Sequence, residues 1–232
     1  MDNSSNYQLL VDRMLSLPLF MGMTQGSMNE IMTQTRLDFH KYVANEKIIC
    51  AEDPCDSLLF LIKGNILMST CSINKTYIFE EELKSPAVIE PERLFGFSQR
   101  YFSSYSTLTE CSIVKILKED VLSLASKYEI FHFNLLNIIS TRSQRDRIRI
   151  WQNLPNGIVK KITSFILDHC IYPAGKKKMV ITMQQLSQYL YESRLNTSQT
   201  LHELEEKKLI IMKRGIIEIP KLEQLISYKN SL

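Results

Sequence analysis

Residues 181–219 read ITMQQLSQYLYESRLNTSQTLHELEEKKLIIMKRGIIEI, which parses as a helix, a tight turn, a second helix and a hairpin with a basic tip. Thr182 followed three residues later by Gln185 is the reciprocal capping pattern that satisfies orphan amide donors at a helix start. Met183, Leu186 and Leu190 recur at three- and four-residue spacing as a buried stripe, while Gln184, Gln185, Ser187 and Gln188 stay polar. Tyr191 and Glu192 make the turn. Ser193 caps a second helix, 193–207, whose inner face is Thr197, Thr200, Leu201 and Leu204.

The outer face of that second helix carries Arg194, Leu195, Ser198 and Gln199, with Asn196 at its edge near the amino end. These residue types suit the DNA major groove. Arginine pairs with both acceptors of guanine, Gln or Asn with adenine, and an exposed leucine packs on a thymine methyl. Beyond Lys207 and Lys208, the run Leu209-Ile210-Ile211 turns at Lys213-Arg214-Gly215 and returns as Ile216 to Ile219, a β-hairpin. A wing of this kind lies over the sugar-phosphate backbone, where Lys213 and Arg214 add affinity without reading sequence. Two amphipathic helices and a hairpin also suit an ordinary interaction module, so that reading stays open beside DNA binding.

At 232 residues and 44% hydrophobic content the chain suffices for packed cores in two modest domains or one large one. No apolar run approaches the roughly 18 residues of a membrane span, and the opening Met1-Asp2-Asn3-Ser4-Ser5 lacks a signal-peptide pattern; the expectation is a cytoplasmic protein with no membrane partner. Cys50, Cys55, Cys71, Cys111 and Cys170 are odd in number and scattered, which favours reduced thiols and disfavours structural zinc or an iron–sulfur cluster. The net charge of +3 is unevenly spread: residues 152–232 carry 12 Lys and Arg against 7 Asp and Glu, while residues 1–151 are net −2. The basic part is the part with the helix pair, an asymmetry that suggests polyanion binding there.

Working outward, residues 8–35 look helical, with a cap near Thr24. From Leu37 short β-rich runs follow one another at brief intervals: 37–43, 47–50, 57–63, 65–71, 76–83, 87–89, 106–110 and 112–117. Lys63-Gly64-Asn65 joins two of them as a hairpin. Eight strands in so short a span indicate a compact antiparallel sandwich or roll. From Glu119-Asp120 to Trp151 no Pro or Gly intervenes, which predicts a long helical region with a break near Tyr128. Its first half, including Ile130, Phe133 and Leu136, is apolar on more faces than one packed side needs, and a second copy of the chain would cover the surplus. A further helix, about 156–170, follows a hinge at Pro155 and Gly157. Lys176-Lys177-Lys178 then reads as a solvated loop, or as a phosphate contact where the fold brings it round to the helix pair.

In this order of parts the chain resembles the Crp/Fnr family of bacterial transcription regulators over nearly its full length. The resemblance is carried by Ile181 to Gln188, Glu192-Ser193-Arg194, Leu201, Leu204-Glu205 and Leu209-Ile210, and in the roll by Asp56 to Gly64. It implies an α+β chain: an N-terminal antiparallel β-roll of cupin-like, cyclic-nucleotide-binding type (1–118), a long dimerisation helix (119–152) and a C-terminal winged helix-turn-helix (153–232). It implies a homodimer on a near-palindromic operator in double-stranded DNA, with half-site centres about 34 Å apart. RNA polymerase and a small-molecule effector of unknown identity are further implied partners. Arg194, Leu195 and Gln199 are the expected base readers. Ser193, Asn196 and Ser198 join Lys213 and Arg214 as phosphate contacts.

The chain departs from the family at three places. Leu195 stands where many members have an acidic side chain on the recognition helix, so the target is not expected to be the family's familiar sequence. Tyr191 stands where the turn often has glycine, which predicts either strained backbone there or a slightly different turn. Where cyclic-AMP-binding members carry Gly-Glu-Leu and then Arg-Ser, this chain has Glu90-Pro91-Glu92-Arg93-Leu94 and Tyr101-Phe102-Ser103-Ser104. Glu92, Ser103 and Ser104 are the candidate effector residues, but no arginine stands where a cyclic phosphate needs one. Burying that charge without a paired donor costs several kcal/mol, so no tight cyclic AMP binding is expected. His40, His132, His169 and His202 lie on separate elements and read as structural residues, not haem ligands. No nucleophile with a base at motif spacing, no Gly-rich phosphate loop and no paired metal ligands stand out; no catalytic residue, metal or cofactor is assigned. The rival to the DNA reading is a regulatory or scaffold protein whose roll binds a metabolite or protein partner without specific DNA binding.

Overall fold

The computed structural model describes residues 2–152 and 155–231, with side chains from Tyr7 onward. The expected boundary between 152 and 153 abuts residues outside those described. The chain packs as two units. One holds residues up to Ile66 and Leu83–Ile148; the other holds Leu67–Glu82 and Arg149 onward.

The first unit opens with helices α1 (Asp2–Leu15) and α2 (Gln25–Gln34), the latter capped by Thr24, whose Oγ1 accepts from the Ser27 amide at 3.1 Å. Strands β1 (Leu37–Tyr42), β2 (Lys47–Ile49), β3 (Ser57–Lys63), β4 (Asn65–Cys71), β5 (Ile78–Lys84), β6 (Ala87–Ile89), β7 (Ser104–Thr107) and β8 (Cys111–Leu117) follow. A four-stranded antiparallel sheet runs β1-β8-β3-β6, and β2 pairs with β7, giving the expected antiparallel roll. Six of the seven β3 residues are buried. Gly64, at φ +94°, makes the tight β3–β4 turn; a Cβ there would run into the Glu110 carbonyl and Cys111 Sγ.

Helix α3 (Lys118–Lys127) ends at Tyr128, and α4 (Glu129–Trp151) continues from there, so the predicted break falls where expected. Phe131 and Leu135 of α4 are buried, and Phe131 and Phe60 flank Phe20 with ring centroids 5.3 and 5.6 Å away. Much of the remaining apolar surface of α4 is uncovered: Ile130, Phe133, Leu136, Ile148, Ile150 and Trp151 are exposed, while Ile138 and Ile139 are half-buried.

The second unit contains α5 (Ile158–His169), β9 (Lys177–Val180), α6 (Met183–Leu190), α7 (Arg194–Glu206), β10 (Ile211–Lys213), β11 (Ile216–Ile219) and α8 (Leu222–Asn230). Its core gathers Ile162, Ile166, Met179, Leu186, Leu190, Leu201, Leu204, Ile217 and Leu225 with Phe79 of β5. The antiparallel order β10-β11-β9-β5 makes the hairpin Leu67–Glu82 part of this unit's sheet.

The register of β5 on β9 sets Glu80 opposite Lys178 and Glu81 opposite Lys177. Because successive side chains alternate faces, one pair is buried and the other is wet. Lys177 Nζ donates to Glu81 Oε1 at 2.8 Å with side chains 1% and 0% exposed, and to the Ala174 carbonyl at 2.7 Å. The Glu81 carboxylate also accepts from the Ile171 and Tyr172 amides at 2.7 and 2.9 Å. Lys176-Lys177-Lys178 is therefore not a solvated loop; Lys177 and Lys178 lie in β9, and the middle lysine is in the interior because its counter-charge and a carbonyl are waiting there.

Beside this pair, His169 Nδ1 lies 2.6 Å from the Phe165 carbonyl and Nε2 lies 2.6 Å from the Tyr77 hydroxyl. A carbonyl only accepts, so Nδ1 carries the proton and neutral Nε2 accepts from Tyr77. Burial holds the His169 pKa below its usual value. His169 is thus a satisfied structural histidine.

Candidate nucleic-acid interface

Helix α6 begins as the sequence predicts. Thr182 Oγ1 accepts from the Gln185 amide at 3.2 Å while Gln185 Oε1 accepts from the Thr182 amide at 3.1 Å. Leu186 and Leu190 are buried, and Met183 packs against the same core. Ser187 departs from its expected polar exposure: it is buried, its hydroxyl donating to the Gln184 carbonyl at 2.9 Å. Tyr191 terminates the helix at φ 53°, ψ 45°, the left-handed conformation anticipated where a glycine is more at ease. Its amide reaches the Gln188 carbonyl and that of Glu192 reaches Ser187, closing the turn.

The turn delivers Ser193 as the cap of α7, its Oγ accepting from the Asn196 amide at 3.1 Å. Thr197, Thr200, Leu201 and Leu204 are buried, which fixes the rotation of the helix about its axis. That rotation leaves Ser193, Arg194, Leu195, Asn196 and Gln199 exposed and Ser198 half-buried. Leu195 is 66% exposed on the same face as Arg194 and Gln199. Two ties hold the helix pair in place. Lys161 of α5 donates to Glu192 Oε1 at 2.6 Å, and Glu205 Oε1 of α7 accepts from the Met212 amide of β10 at 2.6 Å.

Strands β10 and β11 form the wing, with Lys213 opposite Ile216 and Arg214-Gly215 as the turn; Gly215 sits at φ +72°. Lys213 and Arg214 are exposed, as predicted. The sequence reading missed Glu218, which accepts from Lys213 Nζ at 2.7 Å and lies 4.0 Å from Lys176 Nζ. The Lys213 hydrogen bond, with the charges of Lys213, Lys176 and Lys178, holds the Glu218 carboxyl below its usual range. Cross-strand alternation signals this partner: Glu218 faces Lys178, which in turn faces Glu80.

The chain matches no protein-family model, and none of the curated protein sequences. Among solved structures it is similar to the catabolite activator protein of Thermus thermophilus, at 16% identity over 93% of this chain and 99% of that one, with a TM-score of 0.48. The c-di-GMP responsive global regulator of Xanthomonas campestris matches at 15% identity over 85% and 99% of the two chains, with a TM-score of 0.49. The sensor domain of a transcriptional regulator from Pseudomonas aeruginosa matches at 15% over 67% and 97%, also at 0.49. Likeness at this level leaves the chemistry of the site to be read from its own residues.

The candidate effector residues of the roll are already engaged. Glu92, in a 3-10 turn at Pro91–Arg93, pairs with Arg142 of α4. The Ser103 amide donates to Glu90, and Ser104 Oγ accepts from the Ala51 amide at 2.9 Å. The five cysteines are free thiols, and burial pushes that of Cys170 up to about 11. Among the described residues no three His, Cys, Asp or Glu side chains gather as a metal site would require, and no helix is long and apolar enough to cross a membrane.

Proposed function

We propose that this chain is a sequence-specific DNA-binding transcription regulator of the Crp/Fnr type, non-enzymatic and cytoplasmic, that acts as a homodimer. The observation that carries the reading is the outer face of α7, where Arg194, Leu195 and Gln199 stand exposed while the helix's opposite face is locked into a core. Arg194, Leu195 and Gln199 read base edges. Ser193, Asn196 and Ser198, with Lys213 and Arg214 on the wing, hold phosphates. In this reading residues 1–118 are a sensor roll, 119–152 the dimerisation region and 153–232 the reader. The exposed apolar face of α4 is where a second copy packs, setting two α7 helices about one DNA turn apart on a near-palindromic site. A small-molecule effector and RNA polymerase complete the partners.

The test is selection of genomic fragments on the purified protein, followed by anisotropy titrations of the winning duplex across salt concentrations. Affinity should fall steeply with salt, because each neutralised phosphate contributes about −0.9 to the logarithmic slope. Arg194→Ala should cost about 1–3 kcal/mol and relax preference at one base pair. A salt-indifferent interaction, or an Arg194→Ala loss equal on every sequence, overturns the assignment and favours a protein partner at this face.

A further inference from the structure

Glu90 closes β6 with φ 37° and ψ 53°, left-handed backbone that glutamate has no intrinsic reason to adopt. Its side chain explains the conformation. Buried with the residue 5% exposed, the carboxylate accepts from the Phe102 amide at 2.7 Å, the Ser103 amide at 2.9 Å and the Tyr105 hydroxyl at 2.9 Å. Consecutive amides in extended chain point to opposite sides; here Phe102 and Ser103 converge on one group, the concave arrangement that binds an oxyanion. Tyr105, 1% exposed, supplies a third donor from beneath.

The same short segment is fastened twice more. Arg93 sets its guanidinium 5.1 Å from the centroid of the Phe102 ring, and Glu92 is paired with Arg142 of α4. Both acids of the segment are therefore spoken for, one by the cradle at 102–105 and one by the long helix. Burial pushes the Glu90 carboxyl above its usual range while the three donors draw it back, so the cradle is what keeps a charge tenable there.

We infer that the segment Phe102–Tyr105 is an oxyanion site, of a size for a carboxylate or phosphate, and that Glu90 is its built-in ligand, holding the roll's 90–93 turn in its closed position against α4 without an external effector. The anion site itself stands on geometry alone. Its consequence rests on the proposed function: α4 is set in its present arrangement from within, and DNA binding by the wild type needs no added small anion.

The experiment is thermal unfolding of the full-length protein in chloride, acetate, inorganic phosphate and cyclic AMP at equal ionic strength, for wild type, Glu90→Gly and Glu90→Gln. The wild-type midpoint should be the same in all four. Glycine is at ease at this φ, so a lower midpoint in Glu90→Gly reports the lost carboxylate and not the backbone. That drop should be about 5–10 °C, the scale of a charged hydrogen-bond set in a chain of this length. Millimolar acetate or phosphate, but not chloride, should recover at least half of it. Glu90→Gln, which fills the cradle without charge, should melt several degrees low and respond to no anion. Wild type stabilised by acetate, phosphate or cyclic AMP overturns the inference, and so does a Glu90→Gly protein that melts like wild type. If the glycine variant does not fold, Glu90→Gln decides: a wild-type midpoint sinks the proposal and a lowered one supports it. Anion-responsive melting in a protein that binds no DNA would leave the built-in ligand standing and remove the DNA reading instead.

Discussion

Removing the ammonium from the buried Lys177–Glu81 pair is the sharpest perturbation this chain offers. In Lys177→Met the Glu81 carboxylate, 0% exposed, keeps the Ile171 and Tyr172 amides but loses its counter-charge. Breaking a buried pair costs about 3–5 kcal/mol, and the two remaining donors place this case near the lower figure. For a chain of 150–250 residues that is a fall of roughly 6–12 °C in midpoint. Glu81→Gln alone should cost about as much, since it strands the ammonium instead. The double variant removes both charges while one amide oxygen still serves a backbone donor, so it should lose only about 2 kcal/mol, well short of the sum of the singles. Urea unfolding followed by far-UV circular dichroism measures each term, provided the slope stays constant. Single-variant losses that add to within about 0.5 kcal/mol in the double would show that the two groups are not coupled, and the account of why Lys177 lies in the interior would fall with them.

On the wing, Lys213→Ala should weaken binding to all duplexes alike and reduce the salt slope by about 0.9, whereas Glu218→Gln, by releasing Lys213 from its 2.7 Å partner, should tighten binding; anisotropy titrations that find Glu218→Gln neutral would remove Lys213 from the interface. On α4, Phe133→Asp takes an exposed ring out of the proposed dimer seam. At about 1.5–3 kcal/mol per buried ring in each of two copies the dimer dissociation constant should rise roughly 10²–10⁴-fold, and sedimentation of an unchanged dimer would contradict the seam. For His169 the folded pKa lies below 6.5, so the unfolded chain takes up the proton first; the stabilisation is fully present above pH 6.5 and is lost as pH falls toward the depressed folded value. The protection factors of the second unit's amides, in which the intrinsic pH dependence of exchange is divided out, should therefore fall between pH 7 and 5, and His169→Gln should flatten that dependence; the same fall in both proteins would assign it to other groups.

Much of the architecture was legible because it is written in short-range pattern. The Ser57–Lys63 and Asn65–Cys71 strands, the Tyr128 break, the Thr182–Gln185 box and the Ser193 cap each depend on residues a few positions apart. Features that depend on distant partners were not. Lys177 reads as solvent-facing until Glu81, 96 residues away, is placed beside it. β7 was expected to begin at Ser106 and begins at Ser104, because the buried Tyr105 anchors it to Glu90. α8 has no side-chain cap to announce it and was not anticipated. Of the candidate site, Arg194, Leu195 and Gln199 were visible because amphipathic spacing alone fixes which face of α7 is outward. Glu218 and Glu90 were missed because each acts through a contact that only strand register or chain reversal creates.

The loan of Leu67–Glu82 to the second unit bears on how such proteins can be recombined. Phe79 fills that unit's interior and Glu81 neutralises its buried lysine, so the second unit is encoded in two separated stretches of the gene. A chimera that grafts residues 153–232 onto a foreign N-terminal part would inherit a buried ammonium that has lost its counter-charge and a hole the size of a benzyl group. Successful exchange would have to carry the donor's 67–82 segment along with its tail.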